Sequence, residues 1–194
     1  PLADAVITSD EVQPRLSVTR HWSPNLMTYA SLARGYRGGG FNPPVSPVRT
    51  YRGDSVWTAE LGAKWESIDG RIALSGAAFY NDYEDYIGLN SAAPSLAGGL
   101  VTIDLNMGDV EGYGGEVEAR WGPTDRWMLS ASYAYVHSRI TDDSAYTATT
   151  GRRLSSDRLT FPPDHQFSLT SDYEIPFGAG SIVLSVTAAG TGGR

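Results

Sequence analysis

Residues 57–67 read Trp57-Thr58-Ala59-Glu60-Leu61-Gly62-Ala63-Lys64-Trp65-Glu66-Ser67. Trp57, Ala59, Leu61, Ala63 and Trp65 fall on one phase of a two-residue repeat; Thr58, Glu60, Gly62, Lys64 and Glu66 fall on the other. A strand has that period, because successive side chains leave opposite faces of the pleat. A slip of one residue would turn the three charges onto the apolar side. Were that side to meet lipid, Lys64 alone would cost roughly 2–4 kcal/mol at the bilayer midplane, and each Glu somewhat less. The register is therefore well determined.

The same pattern recurs on both sides of this stretch. Asp69-Gly70 follows it, a type I′ hairpin signal. Then 71–83 places Ile72, Leu74, Ala78 and Tyr80 on one face, and 115–121 sets Val117, Ala119 and Trp121 against Glu116, Glu118 and Arg120. Trp127, Leu129, Ala131, Tyr133 and Tyr135 share a face of 126–138, as do His165, Phe167, Leu169 and Tyr173 in 164–174. Ile182, Leu184, Val186 and Ala188 line one side of 181–188. Two further strands are expected at 13–22 and 26–36, split by Ser23-Pro24-Asn25. Arg20 interrupts the apolar phase of the first, and the second mixes both phases, so the pattern assigns it no register.

Connections of two lengths alternate. Short ones are expected at 23–25, 68–70, 122–125 and 176–180, with long ones at roughly 37–56, 84–110 and 139–163. Long structureless loops are uncommon in compact domains. In an outer-membrane barrel, tight periplasmic turns and long extracellular loops are the rule. Trp22, Trp65, Trp121 and Trp127 lie within a few residues of a short turn, where an interfacial aromatic girdle would sit.

Composition narrows the classes. No run approaches the roughly 18 apolar residues of a membrane helix, and hydrophobic residues reach only 41%, enough for strands in which every second residue is apolar. A net charge of −7 argues against nucleic acid, whose phosphates require a basic surface. Cysteine is absent, so disulfides and thiolate metal sites are excluded. Neither Pro1-Leu2-Ala3-Asp4 nor Gly190-Thr191-Gly192-Gly193-Arg194 looks like a true terminus, which leads us to expect a fragment of a longer chain.

Several motifs stand in a familiar order. Tyr29-Ala30-Ser31-Leu32-Ala33-Arg34-Gly35-Tyr36-Arg37-Gly38-Gly39-Gly40-Phe41-Asn42 resembles the strand-to-loop signature of TonB-dependent outer-membrane receptors. Glu60-Leu61-Gly62-Ala63-Lys64, Asp69-Gly70-Arg71 and Ala78-Phe79-Tyr80-Asn81-Asp82-Tyr83-Glu84-Asp85-Tyr86-Ile87 follow in the order seen in that family. So do Asn106-Met107-Gly108, Gly115-Glu116-Val117-Glu118, Ser132-Tyr133-Ala134-Tyr135 and Pro163-Asp164-His165-Gln166-Phe167 with Tyr173. The resemblance implies an all-β, antiparallel up-and-down transmembrane barrel of about 22 strands, of which residues 1–194 would be an incomplete piece of about eight. It implies active uptake of a scarce nutrient, with an iron–siderophore complex as the first candidate. Its partners would be outer-membrane lipid, the receptor's own plug domain and a TonB complex engaged through an N-terminal region, the last two lying outside this sequence. Two other readings share the alternation: a passive porin or small self-closing barrel, and a soluble carbohydrate-binding β-sandwich.

Catalytic signatures are not found. His21, His137 and His165 are scattered, and no metalloprotease, nucleophile-elbow, Walker or dinucleotide motif is present. Arg37-Gly38-Gly39-Gly40 reads as backbone freedom at a strand end. Glu116 and Glu118 share a face with Arg120, as in a charged lumen, in preference to a glycosidase pair. Asp82, Glu84, Asp85, Asp142 and Asp143 have no EF-hand spacing and read as solvated loop charge. No enzyme, cofactor or metal is expected. Ligand contacts at the extracellular mouth are sought at Arg34 and Arg37, since guanidinium groups suit anionic chelates, and at the loop aromatics Tyr51, Tyr83, Tyr86, Tyr113 and Tyr146.

Overall fold

The computed structural model describes residues 6–159 and 163–192; the outermost residues of both ends, read above for their termini, fall outside it. Eight long strands form one antiparallel sheet. They are β1 (Arg15–Ser23), β2 (Leu26–Arg37), β5 (Asp54–Glu66), β6 (Ile72–Pro94), β7 (Leu100–Thr124), β8 (Trp127–Asp142), β9 (His165–Phe177) and β10 (Gly180–Gly192). A two-residue ladder, β3 (Gly40–Phe41) with β4 (Thr50–Tyr51), lies between β2 and β5, and helix α1 (Ser144–Thr150) follows β8. Each long strand pairs with the next in sequence, giving an up-and-down meander whose edges are β1 and β10. A self-closing eight-stranded barrel would join those two edges; here they stand apart in the sheet order.

Pairing fixes what alternation left open. Directly opposed residues share a face, and Leu26, Ala30, Leu32 and Arg34 oppose Trp65, Leu61, Ala59 and Trp57. The outward side of β2 is thus Leu26, Thr28, Ala30, Leu32, Arg34 and Tyr36, while Met27, Tyr29, Ser31, Ala33, Gly35 and Arg37 turn inward. The opposing pairs Leu61–Ala78, Gly76–Val117, Val117–Tyr133, Tyr133–Phe167 and Leu184–Tyr173 carry the apolar face across to β10. Leu61, Val117, Leu184 and Val186 stay 54–70% exposed there. So wide an uncovered apolar face suits lipid better than water. Arg20 keeps its place on this face because its guanidinium lies 3.8 Å from the Trp22 ring centroid, a cation–π contact at the rim. Two indoles near short turns also find partners: Trp22 Nε1 donates to Thr28 Oγ1 at 2.9 Å, and Trp127 Nε1 to Ser171 Oγ at 3.0 Å.

The turn at 67–71 is not the two-residue type I′ expected from Asp69-Gly70. Gly70 N donates to Ser67 O and Ser67 N to Ile72 O, and only Gly70 of the pair has positive φ, at 67°. Ser67 Oγ decides it, accepting from Ile72 N at 2.8 Å while donating to Asp69 Oδ1 at 2.6 Å. Arg71 latches this turn to the next, donating to Pro123 O at 3.1 Å and Asp125 Oδ1 at 3.0 Å.

The long connections are more ordered than the sequence predicts. Most of 84–110 is not loop: β6 and β7 extend as a hairpin to a tip at 95–99. Tyr113, expected on a loop, faces outward within β7, its ring 5.2 Å from that of His137. Alternation fails in 84–110 because the ladder shifts register at Tyr83/Tyr86 and Gly88/Ser91, where Asp85 and Asn90 take φ of 57° and 55°. Such bulges break the two-residue repeat. The buried hydrophobic residues Ile87, Ala93, Ile103, Leu105, Val110 and Ile140 all lie in this extension or at its base. The core of the described structure is therefore a cap on the rim that carries the long connections.

Candidate functional site at the cap

Three connections converge on the cap: 38–53, the outer β6–β7 hairpin, and the segment following β8. Arg37, at the last inward position of β2, opposes the first residue of β5, Asp54. Arg37 Nε donates to Asp54 Oδ1 at 3.1 Å, and its Nη2 pairs with Oδ2. The same Nη2 donates to the Ile87 carbonyl at 3.1 Å, while Ile87 N donates to Asp54 Oδ2 at 2.9 Å. Asp54 is only 5% exposed, so a charged side chain there is stable only with this set of partners. The clasp ties β2, β5 and β6 at one point.

Side-chain amides extend the joint. Asn42 mimics a strand: its Nδ2 donates to Asp104 O at 2.7 Å and its Oδ1 accepts from Asp104 N at 2.8 Å. Asn106 Oδ1 accepts from Arg52 N at 2.8 Å, and its Nδ2 donates to Asp85 O at 2.7 Å and Arg52 O at 3.1 Å. Arg52 in turn pairs with Asp85 at 2.5 Å. Both side-chain amides, buried Asn106 and half-buried Asn42, are thereby satisfied. Gly108 closes the far side, with φ of 114° and room for no side chain: a Cβ there would lie 1.9 Å from Asp142 O.

The seven expected contact residues do not form one site: Tyr113 lies within β7, and the other six fall in several places. Arg37, Tyr83 and Tyr86 meet in a cleft of about 430 Å³ that Gln13, Tyr36 and Asp54 also line. Tyr83 and Tyr86 pack edge to face at 5.4 Å, and the Arg37 guanidinium lies 5.7 Å from the Tyr86 ring centroid. Arg34 is on the opposite face of β2, where its Nη1 donates to Glu11 Oε2 at 2.7 Å and Val12 O at 3.2 Å. Tyr51 packs over Gly40, whose missing side chain makes room for the ring. Tyr146 belongs to α1 and lines a second, larger cavity with Ala93, Ile103 and Leu105.

Asp54 and Gln13 were not singled out from the sequence, and Asn42 and Asn106 entered only as members of two motifs, with no role assigned. Asp54 could have been found once β2 and β5 were set in register, since Arg37 then meets a carboxylate; the two amides stand in the quoted motifs, but their partners Asp104 and Arg52 are 62 and 54 residues away. Among the acidic loop residues, Asp85 pairs with Arg52, Glu84 accepts from Ser55, and Asp142 and Asp143 accept from the backbone of Ser144 and Leu154. Among the described residues no three His, Cys, Asp or Glu gather as a metal site would require.

Comparison with known proteins decides the family. The model for the TonB dependent receptor-like β-barrel matches residues 3–194. The chain belongs to that family. It is accordingly part of an outer-membrane β-barrel, and its uncovered apolar face is the lipid face. The catecholate siderophore receptor Fiu of Escherichia coli is 28% identical over 143 residues, 70% of this chain and 17% of that protein. The metal-pseudopaline receptor CntO of Pseudomonas aeruginosa is 22% identical over 171 residues, 88% of this chain and 22% of its own length. Among solved structures, the ferric yersiniabactin uptake receptor FyuA from Yersinia pestis superposes with a TM-score of 0.70 at 21% identity, over 90% of this chain and 25% of that one. This TonB-dependent receptor chain spans a quarter or less of the length of these proteins.

Proposed function

We propose that this chain is part of the wall and extracellular cap of a receptor that actively takes up a scarce nutrient, above all an iron–siderophore complex. The observation that carries the reading is the two-sided sheet with an ordered cap on a single rim. One side offers lipid an apolar face; the other turns Glu60, Lys64, Glu116, Glu118 and Arg120 toward the lumen. That lumen face would meet the receptor's own plug domain, and a TonB complex would act through an N-terminal region of the whole protein. The siderophore and metal-chelate receptors named above support this cargo class. No step of the function requires bond-making chemistry from this chain, and the reading is of a transporter and not of an enzyme.

The cap suits capture. Its clasp and amide bridges hold loop backbone in place before any ligand arrives, so less ordering entropy is lost on binding. With Arg37 committed to Asp54, the cleft beside it offers Tyr83, Tyr86, Tyr36 and Gln13 more than a free positive charge. The test is uptake of ⁵⁵Fe-labelled chelates by cells with and without the complete receptor, with the proton gradient intact or collapsed. Receptor-dependent uptake that stops with the gradient is expected. Uptake indifferent to the gradient would indicate a passive porin and end the proposal.

A further inference from the structure

The cavity between the β6–β7 hairpin, α1 and loop 43–48 has no part in the reading above. Its volume is about 600 Å³, within the range of small-molecule sites. Ala93, Ile103, Leu105, Met107 and Tyr146 form its walls, and Arg152 is the one charged residue of the lining. Arg152 is exposed and, like Arg49 and Arg153, joins no ion pair among the described residues, whereas Arg37, Arg52, Arg139 and Arg158 each hold a carboxylate. Apolar walls bordered by one exposed, unpaired charge match the make-up of a site for an amphiphilic ligand. Met107 adds a polarizable, adaptable wall suited to an aromatic ring.

We infer that this cavity takes the aryl portion of a small anionic ligand whose acid group meets Arg152. The inference rests on the uptake reading only in identifying that ligand with the cargo, which would then be a chelate bearing an aryl group. A loop from the rest of the receptor is the rival occupant, and the test separates the two.

The complete receptor in lipid nanodiscs would be titrated calorimetrically with 2-naphthoate, an aryl acid, and with adipate, an acid lacking a ring. Saturable binding of 2-naphthoate and not of adipate is expected. Thr149→Trp, from an exposed helical position on the cavity rim, should fill the space and weaken binding at least about tenfold; Arg152→Gln should weaken it about tenfold. Ala148→Trp, at an exposed helical position outside the cavity lining, should change nothing. Absence of saturable binding, as when a receptor loop fills the cavity, would overturn the inference, and so would equal binding by Thr149→Trp. Gradient-dependent iron uptake measured in parallel keeps the failures apart. Uptake without naphthoate binding overturns the cavity inference alone; binding without uptake of any ferric chelate overturns the transport reading alone.

Discussion

The wall and the cap are built from the same strands by opposite means. In the wall, below Trp57 and Tyr80, no side chain of the described structure is buried among its neighbours; the outward residues Leu61, Val117 and Leu184 remain more than half exposed, and solvation by lipid takes the place of a core. In the cap, β6 and β7 continue past the wall, bury Ile87, Ile103, Leu105 and Val110, and use side-chain amides to satisfy backbone groups. The difference teaches where each kind of information lies. A wall strand needs only the right face, whereas a cap strand needs particular partners.

The largest effect is expected where the wall rule is broken. Val117 is outward and mid-strand, between Gly76 and Tyr133. Val117→Arg should cost about 2–4 kcal/mol of barrel stability and abolish heat-modifiable assembly of the full receptor in outer-membrane vesicles. Ser132→Arg, inward and opposite Glu118, should assemble normally. Leu129→Arg, two residues from the rim tryptophan Trp127, should fall between them, since the cost drops to about 0–1 kcal/mol near the interface. Equal behaviour of all three would erase the distinction between faces.

Next come changes that break the cap while sparing the wall. Asp54→Ala strands Arg37 and the Ile87 amide, a loss of about 1–3 kcal/mol tempered by the partial exposure of Arg37. Limited proteolysis should cut faster at Arg49 or Arg52, with barrel assembly unchanged. Gly108→Ala must either move Asp142 or leave its left-handed backbone, at about 1–3 kcal/mol; hydrogen exchange should quicken where β7 leaves β8 and stay slow in β5.

How much the sequence disclosed follows the same division. Faces of β5, β7, β8, β9 and β10 could be read from alternation alone, because lipid tolerates no charge at mid-strand. The face of β2 could not, since Tyr29 on its inner side and Arg34 on its outer side blur the contrast; only pairing with β5 settled it. The cap hairpin was taken for loop because bulges at Asp85 and Asn90 destroy the repeat. Of the residues expected at the mouth, Arg37, Tyr83 and Tyr86 share one cleft; the partner that immobilises Arg37 was not legible, since Asp54 is 17 residues away and meets it only through the β2–β5 ladder.

The smallest expected effect is at the short turn. The Ser67 hydroxyl, with the Arg71 amide, holds the Asp69 carboxyl below the usual carboxylate range. A depressed folded-state pKa gives stability that is present above the unfolded value and fades as pH falls through the folded one. Asp69→Asn should therefore lower the receptor's melting temperature slightly at neutral pH and not at all in strong acid.

Cysteine scanning of 57–66 tests the central claim most directly; these 194 residues hold no cysteine, and any elsewhere in the receptor would first be replaced by serine. Single cysteines would be placed through this stretch of the complete receptor in outer-membrane vesicles, then treated with a water-soluble and a lipid-soluble maleimide. Positions 58, 60, 62 and 64 should react with the first reagent, and 59, 61 and 63 only with the second. Reaction without alternation, or with the two phases exchanged, would contradict the assignment of this sheet to a membrane wall.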